Sequence, residues 1–242
     1  MVKTLIVSAF FKIPSKQPYN FYYNHLQRWF RSIKCPIIFF TSDDVYHDII
    51  NMGYSLLHVQ FEIMTVNDFT AWKLGREFWE RQMNRDPEKY HTPELAAIWY
   101  EKKEFVQRAC QISDADIFIW CDAGAVRDDI SEKAAQKFGL RSMQINDGRI
   151  HIQCIDTIQY NMYYMYPACK YAGAIIAGNR SAWKQFAILY NHVIWEYDNA
   201  GISCNSDQYI MMSCNDRIPK LFYEHVPPSS NINPWFFFLE VL

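Results

Sequence analysis

Four short apolar runs constrain this chain more than any other feature. They are TLIVSAF at Thr4–Phe10, PIIFF at 36–40, DIFIWC at 116–121 and GAIIA at 173–177. A strand with one wet face alternates apolar and polar residues, whereas a nearly unbroken run fits a strand covered on both faces. Further strands are expected at 54–61, 149–155 and 220–223. Segments of helical period lie between the runs. Residues 18–33 set Tyr22, His25, Leu26, Trp29, Phe30 and Ile33 on one stripe. Residues 65–85 read as helical and charged. Thr92 is a good N-cap and Pro93 suits the first helical position, so they open the clearest helix of the chain. A helix over 181–199 carries Trp183, Phe186, Ala187, Tyr190, Val193, Ile194 and Tyr197, with Gly201 near its end. Ser206 is expected to cap one more. Strands alternating with helices predict an α/β fold with a largely parallel sheet flanked by helices.

The 242 residues suit one domain spanning 1–242, and a composition that is 50% hydrophobic and 17% aromatic is ample for a core. No linker, repeat or low-complexity tract divides the chain. With 24 basic and 26 acidic residues, nothing points to nucleic acid. No apolar stretch approaches the roughly 18 residues of a membrane span, and the N-terminus lacks a secretory pattern. Seven scattered cysteines without a C-x-x-C argue against a zinc site or a disulfide framework. A reducing, cytoplasmic setting is therefore expected.

Open α/β sheets bind ligands beyond the carboxyl ends of their strands. That rule sorts the acidic residues around IFIWC. Asp114-Ala115-Asp116 is a D-x-D that precedes the strand, and Asp122 follows it. Five or six residues at about 3.3 Å each put the two groups roughly 17–20 Å apart. Asp122 stands at the ligand edge, and the D-x-D reads as a solvated turn. In the helix opened by Thr92, position 102 falls on the apolar stripe yet is Lys102. A lysine so placed must snorkel out or meet an anion. Asp207 and Gln208 follow Ser206 as a helix start or as a carboxylate–amide pair at a pocket. His225 follows the last strand. Arg127 is expected to spend its charge in an ordinary salt bridge, with direct neutralisation of phosphate as the other role.

The blocks VSAFFKIPSK, IIFFTSDD, HTPELAAIWYEKKEFVQRA, IFIWCDAGAVRDD, YAGAIIAG and SDQY, in this order, resemble the HtrL/YibB family of bacteria and large DNA viruses. The resemblance runs from about Thr4 to His225 and is most specific in the W-x-D-A-G block and the helix before it. It implies a GT-A-like, Rossmann-like domain that binds a nucleotide-sugar, usually with Mn2+ or Mg2+. By position, Ser8, Ala9 and Phe10, with Thr41, Ser42 and Asp43 beside them, would lie near the nucleotide base. Lys102 would approach the phosphates. Asp122, in the turn with Ala123 and Gly124, matches the first aspartate of the family's D-x-D. Gly173, Ala174 and Gly178 would line the sugar pocket, Asp207 and Gln208 would sit near the reacting sugar, and Asp122 and His225 would hold the metal. Gly124 departs from the pattern, because the second aspartate belongs there. This calls the metal into question, leaving Asp122, His225, a diphosphate and waters as a weaker ligand set.

The implied reaction is glycosyl transfer from a nucleotide-diphosphate sugar to a hydroxyl acceptor, such as a glycan. Asp207 would be the base of an inverting reaction, or would steady the charged sugar in a retaining one. The alternative is a non-catalytic nucleotide-sugar- or glycan-binding protein with a degenerate D-x-D. A nucleotidyltransferase fits poorly, since AFFKIPSK after the first strand holds no glycine. The tyrosines at 160, 163, 164, 166 and 171 and the rings of 235–238 suit a core, a partner chain or sugar faces. The tail NPWFFFLEVL is expected to pack back on the domain; a homo-oligomer through it, or a membrane surface, would also cover it.

Overall fold

A computed structural model describes residues 2–141, 145–229 and 232–242. Its seven strands are β1 (Thr4–Phe10), β2 (Ile37–Thr41), β3 (Val59–Ile63), β4 (Ile117–Cys121), β5 (Ile150–Cys154), β6 (Tyr171–Asn179) and β7 (Phe222–His225). All join one sheet in the order β3-β2-β1-β4-β6-β5-β7. The apolar runs are buried on both faces as expected. Leu5, Val7, Phe118 and Trp120 enter one hydrophobic cluster, and the alternate Ile6, Ile117, Ile119 and Cys121 enter the other. Burying each large side chain of this kind favours folding by roughly 1.5–3 kcal/mol.

The helices cover both faces. On one lie α3 (Arg76–Arg85), α4 (Pro93–Ile112), α6 (Arg180–Asn199) and α7 (Asp207–Arg217). On the other lie α1 (Tyr19–Ser32), α2 (Asp43–Ile50), α5 (Asp129–Ala135) and α8 (Phe238–Val241). Thr92 Oγ1 accepts from the Leu95 backbone N–H at 3.2 Å and so caps α4. Ser206 precedes α7, but its side chain makes no capping bond. The segment expected as one helix at 65–85 is broken into two 3-10 turns, Val66–Asp68 and Thr70–Leu74, followed by α3. Two causes are visible. Glu101 of α4 captures the Thr70 and Ala71 N–H groups at 2.9 and 3.0 Å, and Gly75 takes φ 90°, where a chiral residue is strained.

One strand departs from the expected direction. β1 is parallel to β2 and β4, but β6 is antiparallel to both β4 and β5. Its first residues therefore lie beside the carboxyl end of β4, with Ile175 opposite Cys121, while Gly178 lies opposite Phe118 at the far end. β3 and β7 also begin later than expected, at Val59 and Phe222.

The apolar tail packs back. Phe236, Phe237, Phe238, Leu239 and Leu242 are buried, and Gln153 holds both backbone groups of the turn, accepting from Phe238 N–H at 2.9 Å and donating to Trp235 O at 3.1 Å. Those rings are spent inside the chain, so they give no ground for an oligomer formed through them. Among the described residues, no helix is long and apolar enough to cross a membrane.

Candidate functional site

The carboxyl ends of β1 and β4, the start of β6 and the first turn of α7 surround a cavity of about 740 Å3. That size suits a small-molecule ligand. Its floor is an ionic cluster. Lys102 comes from the middle of α4 and is 5% exposed. Its ammonium lies 2.8 Å from Asp207 Oδ2, 2.9 Å from Gly173 O and 3.1 Å from Asp122 Oδ1. An ammonium has three N–H donors, and three acceptors meet them here. Burial works to lower the Lys102 pKa, but the two carboxylates outweigh it and hold the group charged, above its ordinary value. The lysine does not snorkel to solvent; the anions it meets are protein carboxylates.

Each carboxylate is held by its neighbours. Asp122 follows β4 with its N–H on Ala174 O at 2.8 Å, and its Oδ1 accepts from the Trp120 indole at 2.7 Å. Residues two apart on a strand share a face, so W-x-D itself aims the indole at the carboxylate. That signal was legible, and the sequence reading passed over Trp120. Burial raises the Asp122 pKa above the ordinary carboxyl value while Lys102 opposes the shift. Asp207 packs directly on Gly173. A Cβ at 173 would lie 2.5 Å from Asp207 Oδ2, so only glycine lets the carboxylate settle there. The loop before Asp207 is fixed by Gln82, whose Oε1 accepts from Cys204 N–H at 2.9 Å.

The expected site residues divide into three groups. Ala9, Phe10, Lys102, Asp122, Ala123, Gly124, Gly173, Ala174, Asp207 and Gln208 line the cavity. Gln208 Nε2 donates to Tyr171 O at 2.9 Å, which holds α7 to β6. Ser8 and Thr41 are buried beneath the cavity, donating to Cys121 O at 2.6 Å and Phe10 O at 2.8 Å, and so tie adjacent strand ends together. Ser42, Asp43, Gly178 and His225 stand apart. Ser42 and Asp43 begin α2, where Asp43 faces His47, a favourable place for a carboxylate at a helix start. Gly178 is at the far end of β6 because that strand runs antiparallel; a Cβ there would meet Arg149 O and Ile150 at 3.0 Å. His225 sits on β7, three strands from β4, roughly 14 Å away at about 4.8 Å per strand. Its Nε2 faces His151 Nδ1 at 2.8 Å.

The tyrosines singled out at 160–171 do not line the cavity; Tyr164 and Tyr171 are buried in the core. Trp235 and Phe236 of the tail do line it. The remaining aromatic wall comes from residues the sequence reading did not assign, chiefly Tyr19, Tyr22, Trp99 and Trp120. Tyr19, Tyr22 and His25 are spaced by three on α1, a spacing that puts them on one face. His25 Nδ1 is buried without a hydrogen-bond partner among the described residues. Arg127 also reaches the cavity. Contrary to expectation it makes no salt bridge among the described residues; its Nε donates to Gly124 O at 3.2 Å and its guanidinium lies 4.6 Å from the Phe236 ring centre.

The residues brought together do not make up the ligand set expected for Mn2+ or Mg2+. Among the described residues no group of three or more His, Cys, Asp or Glu side chains is arranged to hold a metal. Asp122 already faces Trp120 and Lys102, position 124 has no carboxylate, and His225 is on another strand.

A mostly parallel sheet with helices on both faces, one reversed strand beside the central one, and a cavity at the carboxyl ends define a GT-A-like α/β fold. Residues 67–237 match the family model described as a bacterial protein of unknown function, HtrL_YibB, and the chain belongs to that family. No curated protein sequence matches it. Among solved structures the chain is similar to mouse xyloside xylosyltransferase 1 in its apo form, with 13% identity, a TM-score of 0.53, and coverage of 93% of this chain and 85% of that one. It is also similar to a CMP:2-keto-3-deoxy-manno-octonic acid synthetase complexed with CTP, with 10% identity, a TM-score of 0.50, and coverage of 93% and 90%. At these identities the likeness is one of fold.

Proposed function

We propose that the chain is a glycosyltransferase that moves a sugar from a nucleotide-diphosphate sugar to a hydroxyl acceptor on a glycan. One observation carries this reading. Two carboxylates, Asp122 and Asp207, flank a charged lysine on the floor of a roomy, aromatic-walled cavity at the carboxyl ends of a GT-A-like sheet. The two similar structures agree with it in kind: one is a sugar transferase and the other holds CTP.

In the reaction the bond between the anomeric carbon and the phosphate oxygen breaks, and its electron pair leaves with the diphosphate. The acceptor hydroxyl oxygen bonds to the same carbon and gives up its proton to the departing phosphate oxygen. The developing negative charge needs a fixed cation, and the sugar needs donors and acceptors that hold one orientation. Phe10 and Tyr19, with ring centres 6.0 Å apart, offer apolar faces beside the end of β1 for the nucleotide base. Asp207 and Gln208 face the sugar. Asp207 Oδ2 already accepts from the Lys102 ammonium at 2.8 Å, which fixes the carboxylate on the cavity floor. Asp207 therefore better suits orienting sugar hydroxyls and steadying positive charge on the ring. Mn2+ or Mg2+, if bound, would neutralise the diphosphate; Asp122 is the ligand the cavity offers, and no step here is routed through the ion.

Gly124 favours a second reading, a protein that binds nucleotide-sugars or glycans without turnover. Product formation separates the two. A panel of UDP, GDP, CMP and dTDP sugars is incubated with mixed glycan acceptors, and sugar-extended product is read by mass spectrometry. The transferase reading expects product with wild type and its loss in Asp122→Ala. Binding of a donor without product from any acceptor would favour the second reading.

A further inference from the structure

We propose that the donor's diphosphate is held by Arg127 without a divalent ion, and that the Lys102 ammonium permanently occupies the cation position between Asp122 and Asp207. This rests on the donor-site reading above.

The position between the carboxylates is filled. Lys102 Nζ lies 3.1 Å from Asp122 Oδ1 and 3.4 Å from Oδ2, so it straddles both oxygens. Its other contacts, Asp207 and Gly173 O, leave it no second place to go without abandoning a buried carboxylate. A divalent ion on Asp122 would stand beside this ammonium, where like charges repel. Hard cations need several oxygen ligands, and Gly124 supplies no side-chain oxygen where a second carboxylate would be required, while its carbonyl already accepts from Arg127 Nε.

The charge of a diphosphate then has to be met elsewhere on the cavity wall. Lys102 is committed to its carboxylates. Lys12 is paired with Asp44 and Asp48, both at 2.9 Å. Lys16 lies over the Tyr90 ring, with its nitrogen 4.9 Å from the ring centre. Arg127 differs. It stands five residues beyond Asp122, in the same connection between β4 and α5. The acidic residues next to it are engaged in other ways: Asp128 accepts from the Ser131 N–H at 2.8 Å to cap α5, and Asp129 pairs with Arg28 at 2.8 Å. The guanidinium is exposed, braced behind by Gly124 O and beneath by Phe236. Its terminal N–H groups make no bond among the described residues, and their planar fork matches two phosphate oxygens. When the anomeric bond breaks, the electron pair passes to the phosphate oxygen that this fork faces.

The test is calorimetric binding of UDP, GDP, CDP and dTDP to the full chain, each in EDTA and in Mn2+. Wild type is expected to bind one of them with the same Kd, within about twofold, in both. Arg127→Ala is expected to weaken that binding at least about tenfold, to leave affinity for the matching nucleoside within about twofold, and to be partly restored by Arg127→Lys. Arg127 is exposed, so its variants keep the fold, which circular dichroism checks. Tightening of tenfold or more by Mn2+, or an Arg127→Ala variant that binds like wild type, overturns this proposal and leaves the donor site standing. Absence of binding by all four, with and without metal, overturns both.

Discussion

Two buried polar clusters lie on the same sheet and make opposite use of similar groups. At the end of β4, Lys102 joins Asp122 and Asp207 beneath an open cavity. Toward the other edge, Asp147 accepts from His151 at 2.9 Å, and His151 faces His225 across β5 and β7 at 2.8 Å. The second chain of groups has the more familiar look of a catalytic relay, yet none of its three residues lines the large cavity. Tyr223 and Phe238 pack on its rings, with centres 4.6 and 5.1 Å from that of His225. The difference teaches that a polar cluster becomes a candidate site through what it borders. A closed cluster satisfies itself; an open one keeps charge or hydrogen-bonding capacity for a visitor.

The comparison can be broken most forcefully at Lys102. Lys102→Met leaves two recessed carboxylates facing each other with no cation. Removing one partner from a buried ion cluster is expected to destabilise the fold by about 3 kcal/mol, read by urea denaturation. A loss below about 1 kcal/mol would mean that the cluster is already hydrated and the floor is not as described. Gly173→Ala comes next, because the new Cβ collides with the pinned Asp207 carboxylate. The overpacking is expected to cost about 1–3 kcal/mol and to weaken donor binding in the same variant.

The closed cluster carries a pH signature in the mildly acid range. Burial, and His151 beside it, push the His225 pKa down from 6.5 to about 4. Below pH 6.5 the unfolded chain takes up a proton that the folded chain refuses. The contribution is therefore full above pH 6.5 and is lost as pH falls from 6.5 to about 4. The urea midpoint of wild type is expected to fall across this window, and His225→Phe should flatten the fall. An unchanged slope would place the titration elsewhere. Smallest is the effect at the far end of β4. Asp114 pairs with Lys3 at the surface, so Asp114→Ala should leave the urea midpoint and ligand binding unchanged.

Much of this was legible in the sequence, for physical reasons. Strands buried on both faces must be apolar throughout, so β1, β2 and β4 announced themselves. Thr92 and Pro93 mark the start of α4 by capping chemistry that is local. Lys102 stood out because a charge on an apolar stripe has to be met, and Asp122 because the edge rule places it. The rest depended on tertiary facts. GAIIA reads equally well in either direction, so nothing in it shows that β6 is antiparallel, and Gly178 was carried to the wrong end of the sheet. His225 follows a strand, but which strand it joins is decided by pairing. The short helices α2 and α5 offer too few turns for a periodic signal. The freedom of Arg127 depends on Asp128 and Asp129 finding partners of their own. Trp120 is legible as well, since W-x-D on a strand aims an indole at a carboxylate by geometry alone.

The most direct measurement compares the two ends of β4. The thermal midpoint of wild type, Asp122→Ala and Asp116→Ala is recorded with and without each of the UDP, GDP, CMP and dTDP sugars. A ligand at one hundred times its Kd stabilises the folded state by about 2.7 kcal/mol. One nucleotide-sugar is expected to raise the midpoint of wild type and Asp116→Ala equally and to leave Asp122→Ala unmoved. An equal rise in all three, or none in wild type, would contradict a donor site at the carboxyl end of β4.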